Sequence, residues 1–390
     1  MQVHQRRNDL DWLRVGALGL LIVTHVLFVY RAMPWRVQSE HAGMWGTVAV
    51  EALAPWRISL VFFIAGAATR FMLERHAFAS FVQNRFMRLG VPLIMAVLVL
   101  VPPMLYVTDP HAAGHNYIAF VVDHGLHAKE LFGFWVPDLG HVWFLPYLLV
   151  YSFVTALVWF KAPRTFRTAS DWLARRPTIL IAAGLAIMFV ISDALLKPVY
   201  GRSDMFFDDP AGHARCIPAF LLGAMLVRAD AFWKRLAKSK RWLGPAALGI
   251  GAVYLSMVGS IPLGETMPAS RIAAAAGAIF GAFTILAILG FGSTHLQHES
   301  GAMRYFSDAI MPIYLLHQPM IIFSESWLKA SHLPVWVELP MILVSASLIP
   351  LAIYHFVIRP LPPLRILFGL KAEAPATAPA HPGAGHAQPG

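Results

Sequence analysis

The sequence predicts an all-α fold, a polytopic transmembrane bundle of about ten helices, and three observations carry that prediction. Hydrophobic residues make up 57% of the 390 positions and charged residues 13%, against about 25% charged in soluble domains. Runs of about 20 mainly apolar residues, the length that crosses a bilayer, recur from residue 11 to residue 358 without a long polar interruption. Lys and Arg concentrate in alternate connections between those runs, as cytoplasmic loops do. Length alone allows two or three soluble domains. The unbroken apolar pattern instead reads as one integral domain over 11–360, between a short N-terminus (1–10) and a tail (372–390).

The runs fall at 11–31, 56–74, 89–108, 141–160, 178–196, 214–228, 242–261, 271–291, 309–327 and 335–358. The sixth is short for a full crossing. Arg6 and Arg7 precede the first run, and Arg70, Arg75, Arg85 and Arg88 lie between the second and third. Further basic groups follow the fourth run (Lys161 to Arg176), the sixth (Arg228 to Arg241) and the last (Arg359, Arg365, Lys371). The other connections carry much less, so both termini are expected on the cytoplasmic side. The net charge of +10 is then a topology signal. No basic arm, aromatic platform or zinc knuckle accompanies it, and nucleic-acid binding is not expected.

The first run is too long for a cleavable signal peptide and lacks a small-residue cleavage site, so it is expected to remain in the mature protein. The tail over 372–390 is mostly Ala, Pro and Gly with two His, a composition that predicts disorder. Cys216 is the one cysteine; it allows no intramolecular disulfide and reads as ordinary packing. No internal repeat of motif, length or charge is apparent, which counts against a transporter built from paired halves.

Chemistry is legible first in LDWLRVGALGLLIVTHVLFVY, where Arg14 and His25 stand eleven positions apart. At 100° per residue they return to within about 20° of one face, roughly 16 Å apart along the axis. An ionisable group at such depth costs on the order of 2.5–3.5 kcal/mol even on the lenient insertion scale, so it normally faces a bundle interior or a wet cavity. His141 opens the fourth run in GHVWFLPYLL, and His317 lies in IYLLHQPMI. A single intramembrane histidine is as readily a buried ring bonded to a backbone carbonyl as a reactive group. Several such residues with the face-matched Arg14 favour chemistry, and a neutral imidazole suits the removal of a hydroxyl proton. The connections at 108–140 and 201–213 hold His111, His115, His124 and His127 among several aspartates. No clear third ligand accompanies the His-x3-His pair, and no metal is expected.

LDWLR with ten residues before His25, the Phe-rich VFFIAGAATR followed by RLGVPL, then HVWFLPYLL, FLLGAMLVR and IYLLHQPMI, occur in an order that resembles the acyltransferase-3 family of integral membrane O-acyltransferases. Within it the order and spacing most resemble the glucan biosynthesis protein C branch, associated with succinylation of periplasmic glucans. The resemblance runs from Asp11 to about Arg359. It implies a multi-pass enzyme of the cell inner membrane that takes an acyl group, acetyl or succinyl, from a cytoplasmic acyl-CoA and places it on a carbohydrate hydroxyl at the outer side. The acyl-CoA is a donor substrate, and no bound cofactor is implied.

By position, the family's first-helix Arg and His fall on Arg14 and His25, and its basic motif falls on Arg85 and Arg88, here spaced as RFMR instead of RxR. The family's Ser-Gly-Phe is replaced by Ala65, Gly66 and Ala67, so a role resting on that serine hydroxyl is absent or moved here. On this reading His25 is the general base, Arg14, Arg85 and Arg88 hold donor phosphates, and Asp11 orients Arg14 or a cofactor group, or else is a helix-start charge favourable to the macrodipole. His141, Trp143 and His317 are expected to contact the acceptor or support His25. A proton-coupled transporter using the buried His and Arg, and a non-catalytic assembly protein, are the alternatives.

Overall fold

The computed structural model describes residues 7–109, 112, 116–125, 129–131, 134–201, 203, 205–260 and 268–372. His111, His115 and His127 of the histidine-bearing connection, Arg202 and Asp204, and positions 373–390 of the tail lie outside the described residues.

Eight helices are long and apolar enough to cross a membrane: α1 (Asn8–Phe28), α2 (Met44–Leu73), α3 (Phe78–Thr108), α4 (Gly140–Lys161), α6 (Thr178–Tyr200), α8 (Asp230–Ser260), α9 (Ser270–His295) and α11 (Val335–Ile358). Between them in the chain lie α5 (Pro163–Ala174), α7 (Pro210–Leu226) and α10 (Gly301–Leu328), and α12 (Pro362–Leu367) follows. The expected ten runs thus correspond to the eight helices plus α7 and α10. Helix α7 has only 17 residues. Helix α10 is long, but its apolar character is diluted by the buried His317, Gln318 and Glu325. A two-stranded antiparallel hairpin, β1 (Lys129–Leu131) and β2 (Phe134–Val136), and an isolated bridge between Arg31 and Gly43 are the departures from all-α structure among the described residues.

Helix starts are where the apolar runs mislead. The second run begins at Trp56, whereas α2 begins at Met44 because its first turns carry Glu51 inside the protein. Helix α3 likewise begins eleven residues before its run, with the polar FASFVQNR segment already helical. It then widens to five-residue turns at Phe86–Gly90 and Ala96–Leu100. Pro92 and Pro102 follow within a turn or so. A proline ring cannot donate to, and clashes with, the carbonyl four residues earlier, and a wider turn relieves that clash.

In lipid, apolar surface gains little by leaving its surroundings, so helix association rests on close packing and internal polar contacts. Leu248, Trp327 and Phe356 are each more than 70% exposed, as residues facing acyl chains can be. Inside, the neighbours Phe62 and Phe63 on α2 point into different apolar clusters: Phe62 joins Val26, Met104, Leu145 and Ile321, and Phe63 joins Phe189, Leu243 and Leu289. Helix α2 is therefore the partition of the bundle. It crosses α7 at Gly66 and Gly223, where a Cβ on either residue would overlap a backbone carbonyl of the other helix, Phe220 O or Phe63 O. Small residues permit that approach. The glycine retained in Ala65-Gly66-Ala67 therefore has a packing reason of its own.

Candidate active site

A single cavity of about 1740 Å³ runs along α1 and α2. On α1 its lining residues include Asp11, Arg14, Ala17, Leu18, Leu21 and His25, and on α2 they include Glu51, Ala54, Arg57, Val61, Ala65 and Ala68. Both sets repeat every three or four positions, so each helix gives one continuous stripe to the cavity. The small side chains in these stripes leave the room that larger ones would fill. Arg14 and His25 thus face one common space, separated by about 16 Å of helix rise.

Around His25 the hydrogen bonds fix which nitrogen carries the proton. His317 is fully buried on α10, and its Nδ1 lies 2.6 Å from the carbonyl oxygen of Tyr314. A carbonyl only accepts, so His317 Nδ1–H donates and, in the neutral ring, Nε2 is left as an acceptor. His25 Nδ1 lies 2.7 Å from that Nε2 and must therefore donate to it. The remaining nitrogen of His25, Nε2, is then an unprotonated base. The indole of Trp35 lies nearly parallel to the His25 ring, 6° between planes at 6.2 Å, and also lines the cavity.

His141 is held beside this pair. Its Nε2 donates to Leu315 O at 2.9 Å, and its own carbonyl accepts from Tyr314 Oη at 2.7 Å. The bond to Leu315 leaves His141 Nδ1 as an acceptor, and that atom is buried without a hydrogen-bond partner among the described residues. Trp143 lines the cavity and meets the Tyr147 ring edge-on at 5.4 Å. His25, His141 and Trp143 therefore share the cavity, while His317 stands behind His25.

The opposite end of the cavity is cationic. Arg14 is exposed and faces into it, with Asp11 one turn away on the same stripe. Arg85 is buried, yet its guanidinium bonds to hydroxyls: Nε to Ser152 Oγ at 3.1 Å and Nη2 to Thr69 Oγ1. Arg88, exposed and one turn further along α3, also reaches the cavity. Arg304, Arg359 and Lys371 line the same end.

Sequence reasoning missed a third polar region. Arg57 is 7% exposed, lines the cavity, and makes a long hydrogen bond (3.4 Å) from Nη1 to Leu21 O. A side arm holds Glu51, which accepts from Tyr254 Oη, and Asp193, which pairs with Arg215. Arg215 also donates to Pro55 O. Asp193 sits in a widened turn of α6, Ile191–Leu196. The signal was present: Arg57 and Asp193 interrupt apolar runs as Arg14 does, and the depth rule that singled out Arg14 applies equally to them. Among the described residues, no three histidine, cysteine or carboxylate side chains converge on a metal position.

Compared with known proteins, residues 7–355 match the family model described as "Acyltransferase domain" of the acyltransferase-3 family. The chain is 23% identical over 382 residues to the protein named glucans biosynthesis protein C of Escherichia coli K12, covering 94% of this chain and 95% of that protein. It is 24% identical over 383 residues to its namesake in Escherichia coli O1:K1, with the same coverage. No solved structure matches significantly. A cavity carrying Arg14 and His25 on its first helix, in a bundle that the family model covers almost from end to end, belongs to a multi-pass membrane acyltransferase of the acyltransferase-3 family.

Proposed function

We propose that this protein moves an acyl group, acetyl or succinyl, from a cytoplasmic acyl-CoA to a carbohydrate hydroxyl on the far side of the cell inner membrane, with both termini in the cytoplasm. The observation that carries the reading is the shared cavity, which has arginines at one end and a histidine with a free Nε2 about 16 Å away. That span is comparable to an extended pantetheine arm. Arg14, with Arg85 and Arg88, grips the donor's phosphates, since guanidinium stays charged and forks onto oxyanions. Asp11 orients Arg14.

At the other end His25 Nε2 takes the proton of the acceptor hydroxyl as the oxygen attacks the thioester carbon. The proton then passes to the departing thiolate. His317 holds the tautomer that leaves Nε2 bare, and His141 and Trp143 contact the acceptor. The name of the Escherichia coli relatives, glucans biosynthesis protein C, supports a carbohydrate acceptor.

Mass spectrometry of envelope glycans tests this in cells carrying the wild-type protein, His25→Gln, or none. The expected result is an acyl mass increment on a glycan with the wild type and its absence in the other two, with the variant present in the membrane at wild-type abundance. An unchanged increment in the variant removes His25 from the chemistry.

A further inference from the structure

Arg57 occupies a position that the phosphate grip and the histidine base leave unexplained. Helix α2 presents it to the cavity from the wall facing α1, and its Nη1 reaches Leu21 O. Leu21 precedes His25 by one helical turn, about 6 Å of rise, and follows Arg14 by about 10 Å. The guanidinium therefore lies along the path between the cationic end and the imidazole, close below the latter. Its burial at 7% exposure places it in surroundings of low dielectric, where a fixed cation acts strongly on nearby developing charge.

We propose that Arg57 is a further catalytic residue, the group that binds the oxygen of the acyl carbonyl and holds its negative charge in the tetrahedral intermediate. The proposal rests on the acyl-CoA reading of the cavity and adds to it the part that a base alone does not supply. When the acceptor oxygen bonds to the carbonyl carbon, its proton goes to His25 Nε2 and the carbonyl π pair moves onto oxygen. That oxyanion faces Arg57. Its collapse restores the carbonyl, breaks the C–S bond, and sends the electron pair to sulfur, which recovers the proton from His25. No oxidant, reductant or further reactant is needed.

Fixed donors aimed at such an oxygen are worth about 10²–10³ in rate when one is removed. They act on the intermediate, so the signature lies in kcat. The test uses full-length protein in proteoliposomes with acetyl-CoA or succinyl-CoA and purified envelope glycan. Arg57→Gln is expected to lower kcat about 10²- to 10³-fold, while the dissociation constant for acyl-CoA stays within about threefold of wild type. Arg57→Lys is expected to fall between the two. Added guanidinium is expected to restore part of the rate of Arg57→Gly, a rescue that a merely structural tie between α1 and α2 does not give.

If Arg57→Gln fails to fold, Arg57→Lys reads the same split between kcat and binding, because it keeps the charge. A kcat within threefold of wild type in Arg57→Gln, or a loss wholly in acyl-CoA affinity, overturns the proposal. Absence of glycan acylation by the wild type itself refutes the underlying reading and is distinguishable from both.

Discussion

At the residue scale, the arrangement that matters most is the relay Tyr314 O, His317, His25, because it converts a fixed backbone acceptor into a defined tautomer 2.6 and 2.7 Å further along. The relay makes a selective prediction. His317→Gln keeps both functions, since the amide nitrogen can donate to Tyr314 O and the amide oxygen can accept from His25 Nδ1–H. His317→Leu keeps neither and frees His25 to turn its proton toward the cavity. We expect the glutamine variant to retain most of the acyl-transfer rate. The leucine variant should lose about 10- to 100-fold, a share of the about 10²–10⁴ that a positioned base contributes. Rates for the two variants at matched membrane abundance check this; equal losses would mean that His317 serves packing only.

His25, Arg14 and His317 were all legible in the sequence, because a titratable side chain inside an apolar run is conspicuous. Their mutual bonding was not, since 292 positions separate the two histidines and no local pattern encodes which faces of α1 and α10 meet. Arg57 is legible by the same depth argument that applies to Arg14, but it stands one residue inside the start of its apolar run, where a cation also fits an ordinary helix end at the membrane surface.

At the scale of elements, each of the ten apolar runs corresponds to a helix, eight of them long and apolar enough to cross a membrane. The helix ends departed from the runs where polar residues continue a helix: inside the protein at Glu51 of α2, which lines the cavity, and at the exposed surface in FASFVQNR of α3, where only Phe81 and Arg85 are buried. Hydropathy measures transfer into lipid, so it is blind to helical turns whose polar groups face a cavity or the aqueous surface. The crossing of α2 and α7 makes a second prediction. Gly66→Val places a branched side chain against the Phe220 carbonyl and forces apart the two helices that carry Arg57 and Arg215. The expected cost is about 1–3 kcal/mol or more, read as a lower unfolding temperature in detergent. Gly16→Val on α1, where no atom lies within 4 Å of the added Cβ, is expected to leave that temperature nearly unchanged. Equal stability for Gly66→Val and wild type would refute the close-packed crossing.

At the scale of the whole molecule, the charge distribution and the cavity give one polarity. Arg14, Arg85, Arg88, Arg304 and Arg359 gather at one end, and His25, Trp35 and the Glu51–Tyr254 arm lie toward the other, where Arg31 and the Asp193–Arg215 pair also line the cavity. The proposed function puts donor and acceptor on opposite sides of the bilayer, which a soluble acyltransferase does not need. The most direct measurement is therefore a sided assay: proteoliposomes with radiolabelled acyl-CoA confined to the face bearing the arginine end and glycan confined to the other. The account predicts labelled glycan in the glycan compartment for the wild type, none for His25→Gln, and none when the two substrates exchange sides. Labelled glycan of equal amount from His25→Gln, or transfer that proceeds equally with the substrates exchanged, would contradict it.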